Sequence, residues 1–329
     1  MTTPRRPAVT LRPFTADDYA AYVALSNEAY PDYGWTLEEV RHFDNDWKPE
    51  GFYQRRTIAE EGGVPVGYSD AFHSRGQFVP DNYNLEVIVR PAARRRGIGT
   101  ALFADAISAL RQRAPHWVRD QVKESNADSV AFATTIGAVE LRRDWESRLD
   151  LATFDATPFA TAPQRAADAG VAITTLALEM KTDADAVRKA YELHAAARVD
   201  VPSLDPPTPS PYERFEEEVL RSPYALPEAH FLAIRGGRYV GECAMGKEGT
   251  DPDVIYQHLT AVLRDERGKG IAMALKLRAI EYAKAQGLRE IRTWNASTNR
   301  PMLAINEALG FAKQPAWITL GKDLRATPQ

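Results

Sequence analysis

Hydrophobic and polar positions along the chain predict two similar series of strands and helices. Each series opens with a short strand and includes a hairpin, because Gly-rich turns between strand-forming runs are typical of hairpins. A further strand then leads into a helix with apolar residues three and four positions apart. The predicted strands and hairpins are 8–12, 56–71 and 85–89 in the first series, and 171–176, 231–245 and 258–262 in the second.

The helices of the two series carry matching signals. Apolar residues at helical spacing run from Leu102 to Leu110 in the first series, and from Met273 to Ile280 in the second. Near the start of each series stands Thr-x-x-Asp, beginning at Thr15 and at Thr182. This pattern is typical of a capped helix. The Thr hydroxyl accepts a hydrogen bond from an otherwise unpaired backbone amide, and the acidic side chain is stabilised by the positive end of the helix dipole.

An internal repeat accounts for this similarity. Segment 87–99 resembles segment 260–272, and the alignment of Gly97 with Gly270 also aligns Asn126 with Asn299 and Gly137 with Gly310. An ordered series of matches at constant spacing indicates duplication.

The repeat predicts two domains. We expect them at 8–156 and 171–325, with a linker at 157–170 that contains two prolines and ends in glycine. The Pro-rich stretch 202–211 is predicted to be a long loop inside the second domain, because proline there prevents a helix.

Composition narrows the possible functions. The 329 residues suit two domains and carry a net charge of −4, which gives no reason to expect a nucleic-acid or acidic-membrane partner. Cys243 is the only cysteine, so a disulfide framework and a Cys-rich zinc site are excluded, and no metal is expected. No apolar run approaches the ~20 residues of a membrane span. We expect a cytoplasmic protein.

One motif, Arg-x-x-Gly-x-Gly/Ala between a strand and a helix, points to anion binding. It starts at Arg94 in the first half and at Arg267 in the second. Small residues let the backbone approach an anion, and the helix start presents unpaired amides and a positive dipole end. The spacing departs from the Walker A loop and from the dinucleotide fingerprint. A solvated loop is the alternative for one copy; the second copy favours a pyrophosphate site.

These residues resemble the cofactor motif of the GNAT superfamily of N-acetyltransferases, and segment 293–311 resembles the family's fifth strand, CoA-binding Asn and closing Leu-Gly-Phe. The resemblance implies an α/β (α+β) architecture of two GNAT folds in tandem, each a mixed, mostly antiparallel sheet flanked by helices. The tandem arrangement resembles that of the mycothiol synthases, which does not fix the substrate. It further implies acetyl-CoA as cofactor and direct attack of a small-molecule amine on the thioester.

The cofactor contacts implied by the motif and the resemblance fall on both halves. In the first half they are Ile88, Val89, Arg94, Arg95, Arg96, Gly97, Ile98, Gly99, Thr100 and Asn126. In the second half they are Ala261, Val262, Arg267, Gly268, Lys269, Gly270, Ile271, Ala272, Asn295, Asn299 and Met302. We therefore expect two acetyl-CoA molecules per chain, with the second half binding at least as tightly as the first.

The family reaction needs a base to take the ammonium proton and a donor for the oxyanion, which the resemblance implies is a backbone amide near Val89 or Val262. Glu86 is the predicted base in the first half, with a structural ion pair as the alternative. His258 is the predicted base in the second half, and a structural histidine is its alternative. Many family members place a Tyr acid where this chain has Ala133 and Asn306, neither of which can protonate a thiolate.

The acceptor pocket is expected after the first helix of each half. The side chains available there are Tyr30, Tyr33 and Trp35, and then His194, Arg198 and Asp200. One domain, or both, as a non-catalytic acyl-CoA-binding module remains the alternative function. The expected assembly is a monomer or homodimer.

Overall fold

The computed structural model describes residues 8–325 and divides the chain into two units. The first unit comprises Met1–Leu141 together with Ile318–Gln329, and the second comprises Arg142–Trp317. The chain therefore returns to the first unit at its carboxyl end.

The elements follow one another in chain order. The first ten are β1 (Val9–Pro13), α1 (Tyr19–Ala29), α2 (Leu37–Asn45), β2 (Gln54–Glu61), β3 (Val64–Phe72), β4 (Asn82–Val89), α3 (Ile98–Arg111), β5 (Trp117–Lys123), α4 (Ala127–Thr135) and β6 (Val139–Asp150). The next seven are α5 (Ala162–Asp168), β7 (Val171–Thr175), α6 (Leu176–Glu179), α7 (Ala186–Arg198), α8 (Tyr212–Leu220), β8 (His230–Arg235) and β9 (Arg238–Lys247). The last six are β10 (Val254–Val262), α9 (Ile271–Ala285), β11 (Glu290–Ala296), α10 (Arg300–Ala308), β12 (Ala312–Lys313) and β13 (Trp317–Asp323).

The sheet of the first unit has the strand order β1-β2-β3-β4-β5-β13. Strands β1 to β4 are antiparallel neighbours, whereas β4 and β5 are parallel and pair from Asn82↔Trp117 to Asn84↔Arg119. Both strands continue past the last of these pairs, β4 to Val89 and β5 to Lys123. The sheet is therefore open between β4 and β5 at one end.

Two helices bury apolar residues against this sheet. Helix α3 contributes Leu102 and Leu110, each 0% exposed, as its helical spacing predicts. Helix α1 contributes Leu25, which packs with Ile58, Tyr68 and other residues of the neighbouring strands. These contacts fix the start of α3 beside the open end of the sheet.

The second unit repeats this plan with the strand order β6-β11-β10-β9-β8-β7. Its parallel pair is β10 with β11, from Val254↔Glu290 to Tyr256↔Arg292, and β10 has a register shift between Gln257 and Thr260. Helix α9 packs on the sheet, with residues such as Leu275 and Ile280 fully buried. The predicted fold class is confirmed.

The division differs from the predicted domains at two places. Residues 142–156 belong to the second unit, where β6 pairs with β11 from Asp144↔Ala296 to Asp150↔Glu290. Residues 318–325 belong to the first unit, where Ile318 packs with Val122. A strand pattern shows that a segment is extended but does not show which sheet it joins.

Local signals were informative to different degrees. The hairpin turns fall at Gly62–Gly63 and Gly236–Gly237, and the segment between α7 and α8 is a loop, as predicted. The cap predicted at Thr182 is wrong, because its hydroxyl donates to the Glu179 carbonyl (3.4 Å) and α7 begins only after Asp185. Helix α8 was not predicted.

No helix within residues 8–325 is both long enough and apolar enough to cross a membrane. Across the same residues, no group of His, Cys, Asp or Glu side chains is arranged to hold a metal ion.

Candidate active site

The turn between β4 and α3 is shaped by one left-handed glycine. Gly97 has φ 81° and is the N-cap of α3, a 14-residue helix. Apart from Gly97 and the adjoining chain, no heavy atom of the described residues lies within 4 Å of the position that a Cβ on Gly97 would take. The turn therefore presents an open backbone surface at the positive end of a helix, which suits an anion.

The arginines of this motif have different roles. Arg94 donates from Nε to the Val89 carbonyl (3.0 Å), which ties the turn to the end of β4. Arg96 forms an ion pair with Glu61 and does not line the site. Arg95 is exposed and has φ 60°, a left-handed conformation that is unfavourable for a residue with a Cβ.

A cavity of about 350 Å³ extends along the open end of the first sheet, beside this turn. Residues from β4, the turn, α3, β5 and α4 line it. The predicted site residues that it brings together are Glu86, Ile88, Val89, Arg94, Arg95, Gly97, Ile98, Gly99, Thr100 and Asn126. The sequence-predicted base and nine of the ten predicted cofactor contacts of the first half thus share one cavity.

Glu86 lies on β4 in the wall of this cavity. The Tyr68 hydroxyl donates to its Oε2 at 2.9 Å. Burial raises the pKa of Glu86 to about 7, and the hydrogen bond from Tyr68 opposes that rise. A carboxyl group with this pKa can accept and release a proton near neutral pH.

Asp120 on β5 is a second carboxylate in the cavity wall, and the sequence analysis did not identify it. The Gln121 amide donates to it at 2.8 Å, and no cationic side chain among residues 8–325 pairs with it. Burial, followed by the charge of Glu86, raises its pKa well above the ordinary value. In the sequence, Asp120 is a single acidic residue in a strand that contains both polar and apolar residues. That pattern does not distinguish it from an acidic residue exposed to solvent.

Helix α4 and the end of α1 complete the cavity. Asn126 is the N-cap of α4 and accepts from the Ser129 amide at 3.4 Å. Ala133, at the position where many family members have Tyr, lies on the cavity wall. Tyr30, at the end of α1, lines the same cavity and forms a hydrogen bond with the Ser129 side chain. Of the three predicted aromatic residues, Trp35 is 40% exposed and is not in the lining.

The turn of the second unit repeats the geometry of the first. Gly270 has φ 80° and caps α9, and Arg267 donates from Nε to the Val262 carbonyl at 3.0 Å. Asn299 caps α10 and accepts from the Met302 amide at 3.4 Å. The duplication inferred from the sequence therefore extends to individual hydrogen bonds.

Other predicted residues of the second unit are engaged with their own chain. Lys269 pairs with Glu266 at 2.5 Å, and Asn295 accepts from the Asn306 amide at 2.7 Å. Ile271 is 2% exposed. Ala261 lies on β10, Ala272 is the second residue of α9, and Gly268 has φ 79°.

His258 lies on β10 at the register shift and is exposed. Its ring packs against Gly246, where it leaves no room for a Cβ. Nearby, the fully buried Glu242 contacts His194 at 3.1 Å and His230 at 3.0 Å. These contacts lower the pKa of Glu242 to about 2, although burial opposes that effect. Glu242 was not identified from the sequence, because buried acids have no distinctive local pattern.

Comparison with known proteins identifies the family of the chain. The model of the acetyltransferase (GNAT) family matches residues 19–138 and again residues 190–311. The chain belongs to the GNAT acetyltransferase family. The family and the tandem arrangement predicted from the sequence are confirmed. The chain is an N-acetyltransferase, and the family generally uses acetyl-CoA.

The chain is similar over most of its length to curated relatives and solved structures. It is 29% identical over 288 residues to the mycothiol acetyltransferase of Thermobifida fusca, covering 84% of each chain. It matches the fold of a tandem GNAT protein from the clavulanic acid biosynthesis pathway with a TM-score of 0.73, 22% identity and coverage of 98% and 100%. A GCN5-related N-acetyltransferase from Sphaerobacter thermophilus matches with a TM-score of 0.69, 20% identity and 97% coverage of each chain.

Proposed function

We propose that the cavity of the first unit transfers an acetyl group from acetyl-CoA to a primary amine of a small molecule. One observation carries this proposal: Glu86, with a pKa of about 7, lies in the same cavity as the open Gly97 turn. A proton acceptor and an anion-binding turn are the two groups that acetyl transfer from a phosphorylated thioester requires.

The residues of the first unit fit acetyl-CoA. The open surface of Gly97 and the start of α3 suit its pyrophosphate, and the exposed Arg95 side chain adds a positive charge. The cavity leads from this turn between β4 and β5, where Val89 and Asn126 would border the pantetheine arm. When bound there, acetyl-CoA supplies the activated acetyl group.

The residues of the cavity divide the chemistry. Glu86 takes the proton from the acceptor ammonium, directly or through one water, and so generates the nucleophilic amine. The backbone of Val89 borders the cavity, and its amide, which faces away from β3, can donate to the developing oxyanion. Asp120 lies in the same wall, and its carboxyl oxygens can accept a hydrogen bond from the ammonium form of the acceptor before the proton is removed.

The leaving thiolate lacks the family's usual acid in this cavity. Thiols ionise near pH ~8.5, so the thiolate can leave without full protonation. Tyr30 places a phenolic hydroxyl in the cavity lining beside α4, and burial raises its pKa, which keeps it protonated at neutral pH. We assign Tyr30 as the candidate proton donor.

The small-molecule acceptor is supported by the relatives and by the size of the site. Several relatives are mycothiol acetyltransferases, whose name specifies a small molecule. A cavity of about 350 Å³ lies in the range of small-ligand pockets.

A screen of primary amines tests the proposal. The full chain is mixed with acetyl-CoA and each amine, and free CoA thiol and acetylated product are measured. We expect product from a subset of small amines, and its loss in Gly97→Glu, whose added charge repels the phosphates. Gly270→Glu is the matched control. Gly270 has φ 80° and Gly97 has φ 81°, so the two substitutions introduce the same backbone strain. No product with any amine, or full activity in Gly97→Glu, would contradict the proposal.

A further inference from the structure

The two glycine turns differ in what lies over them. Apart from the adjoining chain, no heavy atom of the described residues lies within 4 Å of the Cβ position of Gly97. At Gly270 the exposed Arg165 side chain lies against that position, with Cδ at 3.3 Å and Cγ at 3.5 Å. Arg165 also donates from Nη2 to the Gly268 carbonyl at 3.1 Å. The second turn is therefore covered by a side chain from α5, a helix within the predicted linker.

Helix α5 is anchored beside the turn. Ala166, the residue after Arg165, is 1% exposed and belongs to the core that contains α9. The Ala169 carbonyl accepts from Arg235 Nε at 3.0 Å. Before the helix, the Phe154 carbonyl accepts from Lys284 Nζ at 3.2 Å, near the other end of α9. The segment thus contacts α9 near both ends, which keeps Arg165 over Gly270.

Three cations at the second turn, Arg264, Arg267 and Lys269, are paired with carboxylates, whereas Arg165 has no carboxylate partner among residues 8–325. Asp200 accepts from Arg267 Nη2 at 2.5 Å and from Arg264 Nε at 2.9 Å, and Lys269 pairs with Glu266 at 2.5 Å. A bound pyrophosphate would have to compete with these carboxylates. In the first turn Arg94 and Arg96 are likewise paired, with Asp128 at 3.9 Å and with Glu61, and the exposed Arg95 has no ion pair with any residue of 8–325.

The two turns also differ in backbone strain. Arg95 holds φ 60°, and the residue aligned with it is Gly268, at φ 79°. Glycine adopts this conformation without strain, whereas an arginine does so at a cost. The first turn therefore keeps a strained cation at the place where the second has no side chain.

We propose that acetyl-CoA binds in the first unit alone, and that Arg165 of α5 occupies the second turn and excludes the cofactor from it. The second unit then retains the GNAT fold without a working cofactor site. The inference rests on the proposed function for the identity of the ligand. It reverses the expectation of two sites that the two intact motifs suggest.

Calorimetric titration of the full chain with acetyl-CoA tests the stoichiometry. We expect one site, weakened at least about 100-fold by Gly97→Glu because like charges in contact are strongly unfavourable. Gly270→Glu should leave that site unchanged, although its backbone strain is the same. Two sites in the unmodified chain would overturn the inference but not the proposed function. Absence of any binding would overturn both.

Arg165→Ala tests the blocking role directly. Removal of the Arg165 side chain should reveal a second, weaker acetyl-CoA site, and adding Gly270→Glu should abolish that second site. Gln164→Ala, on the same helix but bonded to Asp168 at 2.7 Å, is the control and should leave one site. A single site in Arg165→Ala would show that this side chain does not close the turn. If Arg165→Ala weakened binding at a site that depends on Gly270, Arg165 would be a phosphate ligand, which also contradicts the inference.

Discussion

Glu86 is the residue whose surroundings bear most directly on chemistry. Its pKa of about 7 places the change from acid to carboxylate within the working pH range. Glu86→Gln keeps the size of the side chain and an acceptor for the Tyr68 hydroxyl, but it cannot take a proton. We expect turnover to fall by roughly 10²–10⁴-fold, the usual contribution of a general base. The rise in turnover as the pH increases through ~7 should also disappear in this variant. If the rise is retained, a residue other than Glu86 is the general base.

The same substitution should change the pH dependence of stability. Because burial raises the pKa of Glu86 from 4.5 to about 7, the folded state binds more protons than the unfolded state between these values. Unfolding free energy should therefore fall as pH rises through this window, by at most ~3 kcal/mol. Glu86→Gln should be the more stable protein at pH 8, with little difference at pH 4. Denaturant titrations of both proteins at the two pH values measure this difference. An equal loss of unfolding free energy in both proteins between pH 4 and pH 8 would contradict the prediction.

Arg95 illustrates a conflict between stability and binding. Its left-handed backbone costs about 1 kcal/mol, an amount that glycine would largely avoid. Arg95→Gly should leave the unfolding free energy equal or higher while acetyl-CoA affinity falls about tenfold, since a charge-assisted contact is lost. Arg96→Ala is the comparison, because Arg96 pairs with Glu61 outside the cavity and should not affect affinity. Equal affinity losses in both variants would indicate a general effect of charge.

At the scale of single elements, α2 has the clearest local determinant. Thr36 Oγ accepts from the Glu39 amide at 3.1 Å, and Glu39 accepts from the Thr36 amide at 2.7 Å, which completes a capping box. Thr36→Ala should lower the unfolding free energy by about 1 kcal/mol. Thermal unfolding of the full chain measures it, and Thr134→Ala, which removes an exposed hydroxyl in the last turn of α4, should have a smaller effect. A larger effect at Thr134 would contradict the capping role.

Sequence patterns identified elements well when their signals were local. The hairpins, the turns at Gly97 and Gly270 and the apolar face of α3 all depend on neighbouring residues, and each lies where it was predicted. Asp120 depends on the separation of β4 and β5, which is set by tertiary pairing. Arg165 lies far from Gly270 along the chain, so nothing in its own segment indicated the contact.

For the whole molecule, the return of the chain to its first unit has a measurable consequence. Ile318 and Leu320 of β13 pack with Val122 of β5, and Lys322 donates to the Ile136 carbonyl at 2.7 Å. Leu320 and Lys322 also line the cavity that contains Glu86, so residues near the carboxyl end form part of the site. The first unit is therefore incomplete without them.

Removal of β13 after Trp317 should disable the first unit and spare the second. The truncation exposes apolar surface at Val122 and removes one wall of the cavity, so acetyl-CoA binding should be lost and the amides of β5 should exchange quickly with solvent. Amides of α9 should stay protected, since all residues 142–317 remain. Hydrogen exchange with mass spectrometry distinguishes the two units in one experiment, and a chain ending at Arg325 is the control. Retention of wild-type binding in the shorter chain would show that the first 141 residues form the site without the final strand.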